Sequence, residues 1–105
     1  MTTALQAELD RAQALHGDGH HLPDGTGPNT WPGWRDQNAE YELLAARLDY
    51  EAAELEGELT WALVLREEVS EALAESDPDL LTAELLQVAT VALRWVDAIA
   101  ARGRR

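Results

Sequence analysis

Cysteine, lysine and phenylalanine are absent from these 105 residues. Without cysteine there is no disulfide framework and no zinc site built on thiolates. Without lysine, all eight cationic side chains are arginine, set against twenty carboxylates, for a formal net charge of -12. A surface this acidic repels nucleic-acid polymers, yet admits a free nucleotide whose phosphates are screened by cations. No apolar run approaches membrane-spanning length, and the first ten residues lack the basic start and apolar run of a signal peptide. The expectation is a cytoplasmic protein of one domain, residues 1–105, with a modest core.

The pattern along the chain is helical. Leu5, Leu9, Ala12 and Leu15 recur at helical spacing and predict a first helix to about Leu15, stopped by Gly17 and Gly19. From about His16 to Asp36 the chain is rich in Gly and Pro and is incompatible with regular structure. Such a long loop is either a surface excursion or functional. Trp31 and Trp34 within it argue for packing of the loop, or for stacking on a base. A second helix is predicted from about Asn38 to Leu59, with an apolar seam of Tyr41, Leu44, Leu48, Leu55 and Leu59. A third runs from about Trp61 to Glu75, capped by Thr60, with Trp61, Leu65, Val69, Ala72 and Leu73 on its buried side. Ser76-Asp77-Pro78 forms a turn, and a fourth helix follows to about Ala101. That last helix is apolar on more sides than one small bundle can cover. The expected fold is therefore an all-α antiparallel bundle of about four helices, completed by oligomerisation as a homodimer or homotetramer.

Two spacings carry chemistry. Glu68 and Glu71 are three apart on the third helix, and Glu84 and Gln87 are three apart on the fourth, so each pair shares a helix face. The short turn makes the two helices antiparallel neighbours, with Glu71 opposite Glu84 and Glu68 opposite Gln87. The same periodicity describes two solvated stripes. If the faces meet, the carboxylates repel one another unless a cation neutralises them, and oxygen donors of this kind suit Mg²⁺, with Mn²⁺ as a substitute.

At these residues the chain resembles the MazG-like all-α nucleoside triphosphate pyrophosphohydrolases. Leu65 to Ala72 looks like their Glu-x-x-Glu motif, and Ala83 to Ala89 like their Glu-x-x-Asp motif. Arg11 to Gly17, followed by His21-Leu-Pro-Asp-Gly-Thr-Gly27, looks like the start of some small members. The resemblance implies Mg²⁺-dependent cleavage between the α and β phosphates of a nucleoside triphosphate. It implies that Glu68, Glu71 and Glu84 are metal ligands, that Glu68 serves the catalytic step, and that His21 belongs to a substrate loop; Glu67, beside the cluster, is a catalytic candidate for orienting water or else an exposed helix charge. One departure is Gln87, where the family has an acid; an amide oxygen still coordinates but brings no charge. A member that kept the fold and lost turnover, binding a nucleotide or a protein, is the alternative, and a purely structural helical oligomer is a third reading.

Other candidates are weaker. His16, His20 and His21 lie in or beside the Gly-rich loop, where solvated histidines are common. Arg94, two turns past Gln87, has the reach for a substrate phosphate or for a nearby acid. Trp34 is the loop residue placed nearest to a substrate-stacking role.

Overall fold

The computed structural model describes residues 2–31 and 37–103, without the side chain of Thr2. Trp34 and the tail residues Arg104 and Arg105 lie outside the described residues. The described chain is all-helical: α1 (Thr2–His16), α2 (Ala39–Leu55), α3 (Trp61–Leu73) and α4 (Pro78–Gly103), with no strand among the described residues.

Each helix boundary has a local cause. Asn38 caps α2 by accepting a hydrogen bond from the Tyr41 N–H at 2.9 Å. The helix stops at Leu55, four residues before the expected end. Gly57 adopts a φ of 69°, and the Glu58 N–H turns back to the Ala53 carbonyl at 2.8 Å, a left-handed stop that other residues take at a cost. Thr60 caps α3 as expected, accepting from the Leu63 N–H at 3.2 Å. α3 ends at Leu73 because the chain itself supplies the next donor: the Gly27 N–H takes the Leu73 carbonyl at 3.0 Å. Asp77 starts α4, its side chain accepting from the Asp79 N–H at 3.3 Å and its carbonyl from the Leu81 N–H at 2.8 Å.

The end of the Gly/Pro-rich loop is thus a structural strap. Gly27 is buried with a φ of 133°, Thr30 Oγ1 donates to its carbonyl, and the Ala39 N–H donates to the Thr30 carbonyl at 2.8 Å. These bonds tie the C-terminus of α3 to the N-terminus of α2. Trp31 does not follow the loop inward; it is 59 % exposed, against the packing expected of it.

α3 lies between α2 and α4 and packs on both, while α1 packs against no other helix among the described residues. So three of the four helices pack in the single chain. The buried apolar residues are few: Ala39 and Ala46 on α2, Ala72 on α3, Leu81 and Val91 on α4. The seam expected on α2 faces outward instead. Tyr41, Leu44, Leu48 and Leu55 are exposed, and the small residues Ala39 and Ala46 turn to α3. Alanines let two backbones approach closely, which the leucine side does not. Leu73, expected inside, is also exposed, and Trp61 and Trp95 are only partly covered.

Candidate metal centre

The α3 and α4 pair is antiparallel, and its register sets the site. At one end the Arg94 guanidinium lies over the Trp61 ring, 5.3 Å from its centroid. Toward the connecting turn, one carboxylate oxygen each from Glu68, Glu71 and Glu84 lie within 4.8 Å of one another. All three residues are partly buried. Glu68 and Glu71 share a face because a helix turns about 3.6 residues per revolution. Glu84 meets them because the turn between the helices is short and fixed by the Asp77 bonds.

The electrostatics are those of a crowded acid cluster. Burial pushes the Glu68 carboxyl above its usual range, and the charge of Glu71 and a hydrogen bond to it push the same way. Glu84 is raised first by its hydrogen bond to Glu71, then by burial and by the charges of Glu71, Glu68 and Glu75. Glu67, beside the cluster, is raised by burial, then by a hydrogen bond to Glu71 and the charges of Glu71 and Glu68, with Arg47 opposing. Glu71 is the shared partner in all three cases. One oxygen of Glu68, Oε2, is buried and has no hydrogen-bond partner among the described residues. Carboxylate oxygens buried without a donor are uncommon and costly.

Two residues that sequence reasoning did not reach complete the surroundings. Arg47 of α2 brings its Nη2 to 3.5 Å from Glu71 Oε1. Tyr50, one turn further on, has its phenol raised by burial and then by the charges of Glu54, Glu67 and Glu68, which places it beside the same carboxylates. The signal for both was the spacing of Ala39, Ala46 and Tyr50 on one face of α2, masked by the leucines on the other. A hollow of about 550 Å³, lined by Tyr50, Trp61, Val64 and Arg94 among others, continues this face of the molecule. Val64 lies one turn from Glu68 on α3.

The remaining candidates are placed as follows. Gln87 is exposed on α4, one turn beyond Glu84. Arg94 is held over Trp61, about 10 Å along α4 from Gln87 at the helical rise per residue. His21 is exposed in the loop, and neighbouring His20 faces Asp18 at 3.4 Å. Trp34 lies outside the described residues.

No model of a known protein family, no curated protein and no solved structure matches the chain. What the site does must be read from its own donor set. Three hard oxygens converge, one each from Glu68, Glu71 and Glu84; Glu68 also carries a buried Oε2 without a donor, and the carboxyls of Glu67, Glu68 and Glu84 resist their own charge. That set fits a divalent cation that prefers oxygen, and three protein ligands leave room for waters or phosphate oxygens.

Proposed function

We propose that this protein is a Mg²⁺-dependent nucleotide pyrophosphohydrolase, in which water attacks a nucleoside triphosphate to release the monophosphate and pyrophosphate. The observation that carries the reading is the convergence of Glu68, Glu71 and Glu84, together with the unpartnered Oε2 of Glu68. The order and spacing of the two acidic motifs on consecutive helices, and their likeness to the MazG-like enzymes, support it.

In this account Glu68, Glu71 and Glu84 hold the cation, and Gln87 offers an amide oxygen to it or to one of its waters. A cation bound there lends positive charge to the phosphate oxygens and acidifies water. Glu67 has a heightened affinity for a proton and stands beside the ligands, so it takes the proton of the attacking water. Arg47 offsets the charge of Glu71 on the α2 side. The hollow bounded by Trp61 and Arg94 receives the far part of the nucleotide, with Arg94 free to leave Trp61 for a phosphate oxygen. His21 would contact the substrate from the loop. The helical bundle is completed by further copies of the chain, and the enzyme works in the cytoplasm.

Pyrophosphate release from a panel of nucleoside triphosphates tests the reading. It is expected with Mg²⁺, and expected to vanish on chelation and in Glu68→Ala. A second reading keeps the site and loses turnover, because Gln87 subtracts one charge from the ligand set. Saturable nucleotide binding with no pyrophosphate released, and activity gained in Gln87→Asp, would favour it. Absence of both divalent and nucleotide binding would leave only a structural helical protein.

A further inference from the structure

The three carboxylates of the cluster outweigh one divalent ion, and the chain as a whole carries a net charge of -12. A triphosphate entering such a site needs a further cation beside it. With no lysine in the sequence, that cation is an arginine. Among the described residues, Arg11 pairs with Glu8 on α1, Arg66 pairs with Asp49, Arg94 lies over Trp61 and Arg102 reaches the Ala98 carbonyl. Of the described arginines, Arg47 is the one paired with a carboxylate of the cluster, its Nη2 3.5 Å from Glu71 Oε1.

The register of α2 on α3 says which part of a nucleotide Arg47 meets. The two helices are antiparallel: Arg66 pairs with Asp49, and further along α3 Glu71 pairs with the earlier Arg47. From Thr60 toward Leu73, this face of α3 offers first the hollow lined by Tyr50, Trp61, Val64 and Arg94, then Glu68, then Glu71 with Arg47. Trp61 and Glu71 stand about 15 Å apart at the helical rise per residue. A nucleotide whose nucleoside end fills the hollow therefore runs its phosphates past Glu68, and the terminal ones come to Arg47. The Arg47 side chain is 50 % exposed and Glu71 only 21 %, so the guanidinium is open to solvent while its partner faces the cluster. Its charge also reaches Glu67. The guanidinium fork fits the oxygens of a phosphate as it fits a carboxylate. Glu71 cannot serve a cation and Arg47 at full strength together, so Arg47 is released toward incoming phosphates when the site is loaded.

We infer that Arg47 binds the two terminal phosphates of a nucleoside triphosphate and steadies them as the pyrophosphate leaving group. The inference rests on the proposed hydrolytic reading for its substrate. The oxygen of water bonds to the α-phosphorus and its proton goes to Glu67. The bond from that phosphorus to the bridging oxygen breaks, and the bridging oxygen leaves with the electron pair on pyrophosphate, whose charge Arg47 balances.

Calorimetry with inorganic pyrophosphate at saturating Mg²⁺ tests this without turnover. Pyrophosphate should bind the wild-type chain, and Arg47→Ala should weaken it at least about tenfold, the effect of losing a charge-assisted pair. Arg47→Lys, which keeps the charge and loses the fork, should recover part of that loss. Arg66→Ala removes the same charge from the groove on the other side of α3 and should leave pyrophosphate affinity unchanged; an equal loss there would overturn the inference. Equal weakening of nucleoside monophosphates in Arg47→Ala would overturn the assignment to the terminal phosphates. Unchanged pyrophosphate affinity in a helical Arg47→Ala chain would overturn the inference and leave the hydrolytic reading standing. Pyrophosphate held through Arg47 by a chain that turns over no nucleotide would support the inference and sink that reading. A wild-type chain that binds neither pyrophosphate nor any nucleoside triphosphate would overturn both. Where Arg47→Ala fails to fold, Arg47→Gln, which can still hydrogen-bond Glu71, takes its place with the same expected loss.

Discussion

Glu71 is the residue on which the site turns, since Glu67, Glu68 and Glu84 all answer to it and Arg47 pairs with it. Replacing it by Gln removes a repulsive centre and a ligand together. In the absence of divalent ions Glu71→Gln should leave Tm unchanged or raise it by a few degrees, at about 4–8 °C per kcal/mol for a domain this size. The same change should weaken Mg²⁺ or Mn²⁺ binding by at least about tenfold in a calorimetric titration, the effect of losing one anionic ligand. The pH dependence follows with a definite sign. The Glu68 and Glu84 carboxyls have a higher pKa folded than unfolded, so the folded state holds the extra protons. Their stabilisation is complete below the ordinary carboxylate pKa and is lost as pH rises through the raised values. Metal-free Tm should fall on going from acid toward neutral pH, and Mg²⁺ should restore more Tm at pH 7.5 than at pH 5. A metal-free Tm that these two carboxylates raise toward neutral pH, seen by comparing Glu84→Gln, would contradict the repulsion. Arg47 competes with a cation for Glu71 across 3.5 Å. Arg47→Ala should therefore tighten Mg²⁺ binding by a factor of about two to five, the worth of a half-exposed ion pair.

At the scale of the element, short signals decide where helices begin and end. Thr60→Ala should cost about 1 kcal/mol in urea unfolding through loss of the α3 cap. Gly57→Ala should cost a similar amount, about 1 kcal/mol, purely from its φ of 69°, because nothing lies within 4 Å of an added methyl group. The Thr60 cap was legible in the sequence, as were the four helices and the antiparallel turn that sets Glu71 against Glu84. The end of α2 was not. Leu59 continued the leucine spacing, while the left-handed stop at Gly57 depends on a backbone conformation that spacing does not reveal. Nor was the face of α2. Its leucines gave the stronger apolar pattern, yet Ala39 and Ala46 make the contact, and with that inversion Arg47 and Tyr50 stayed out of view. The Gly27 strap was hidden for a related reason: its partner, the Leu73 carbonyl, is far along the chain.

The whole molecule divides into two faces around α3. One gathers carboxylates, Tyr50, Trp61 and Arg94; the other carries a groove in which Val69, Leu73 and Trp95 lie beside Glu42 and Arg66. On the proposed reading, further copies of the chain cover apolar surface that the single chain leaves exposed, and the carboxylate face stays open to a cation and a phosphate. Tm should accordingly rise with protein concentration, which a self-contained monomer would not show. The cation is the centre of the account, and crystals grown with Mn²⁺ test it most directly. An anomalous peak is expected with oxygens of Glu68, Glu71 and Glu84 at about 2.0–2.3 Å, a span usual for small divalent ions. Full Mn²⁺ occupancy elsewhere on the molecule, with these three carboxylates bound only to water, would contradict it.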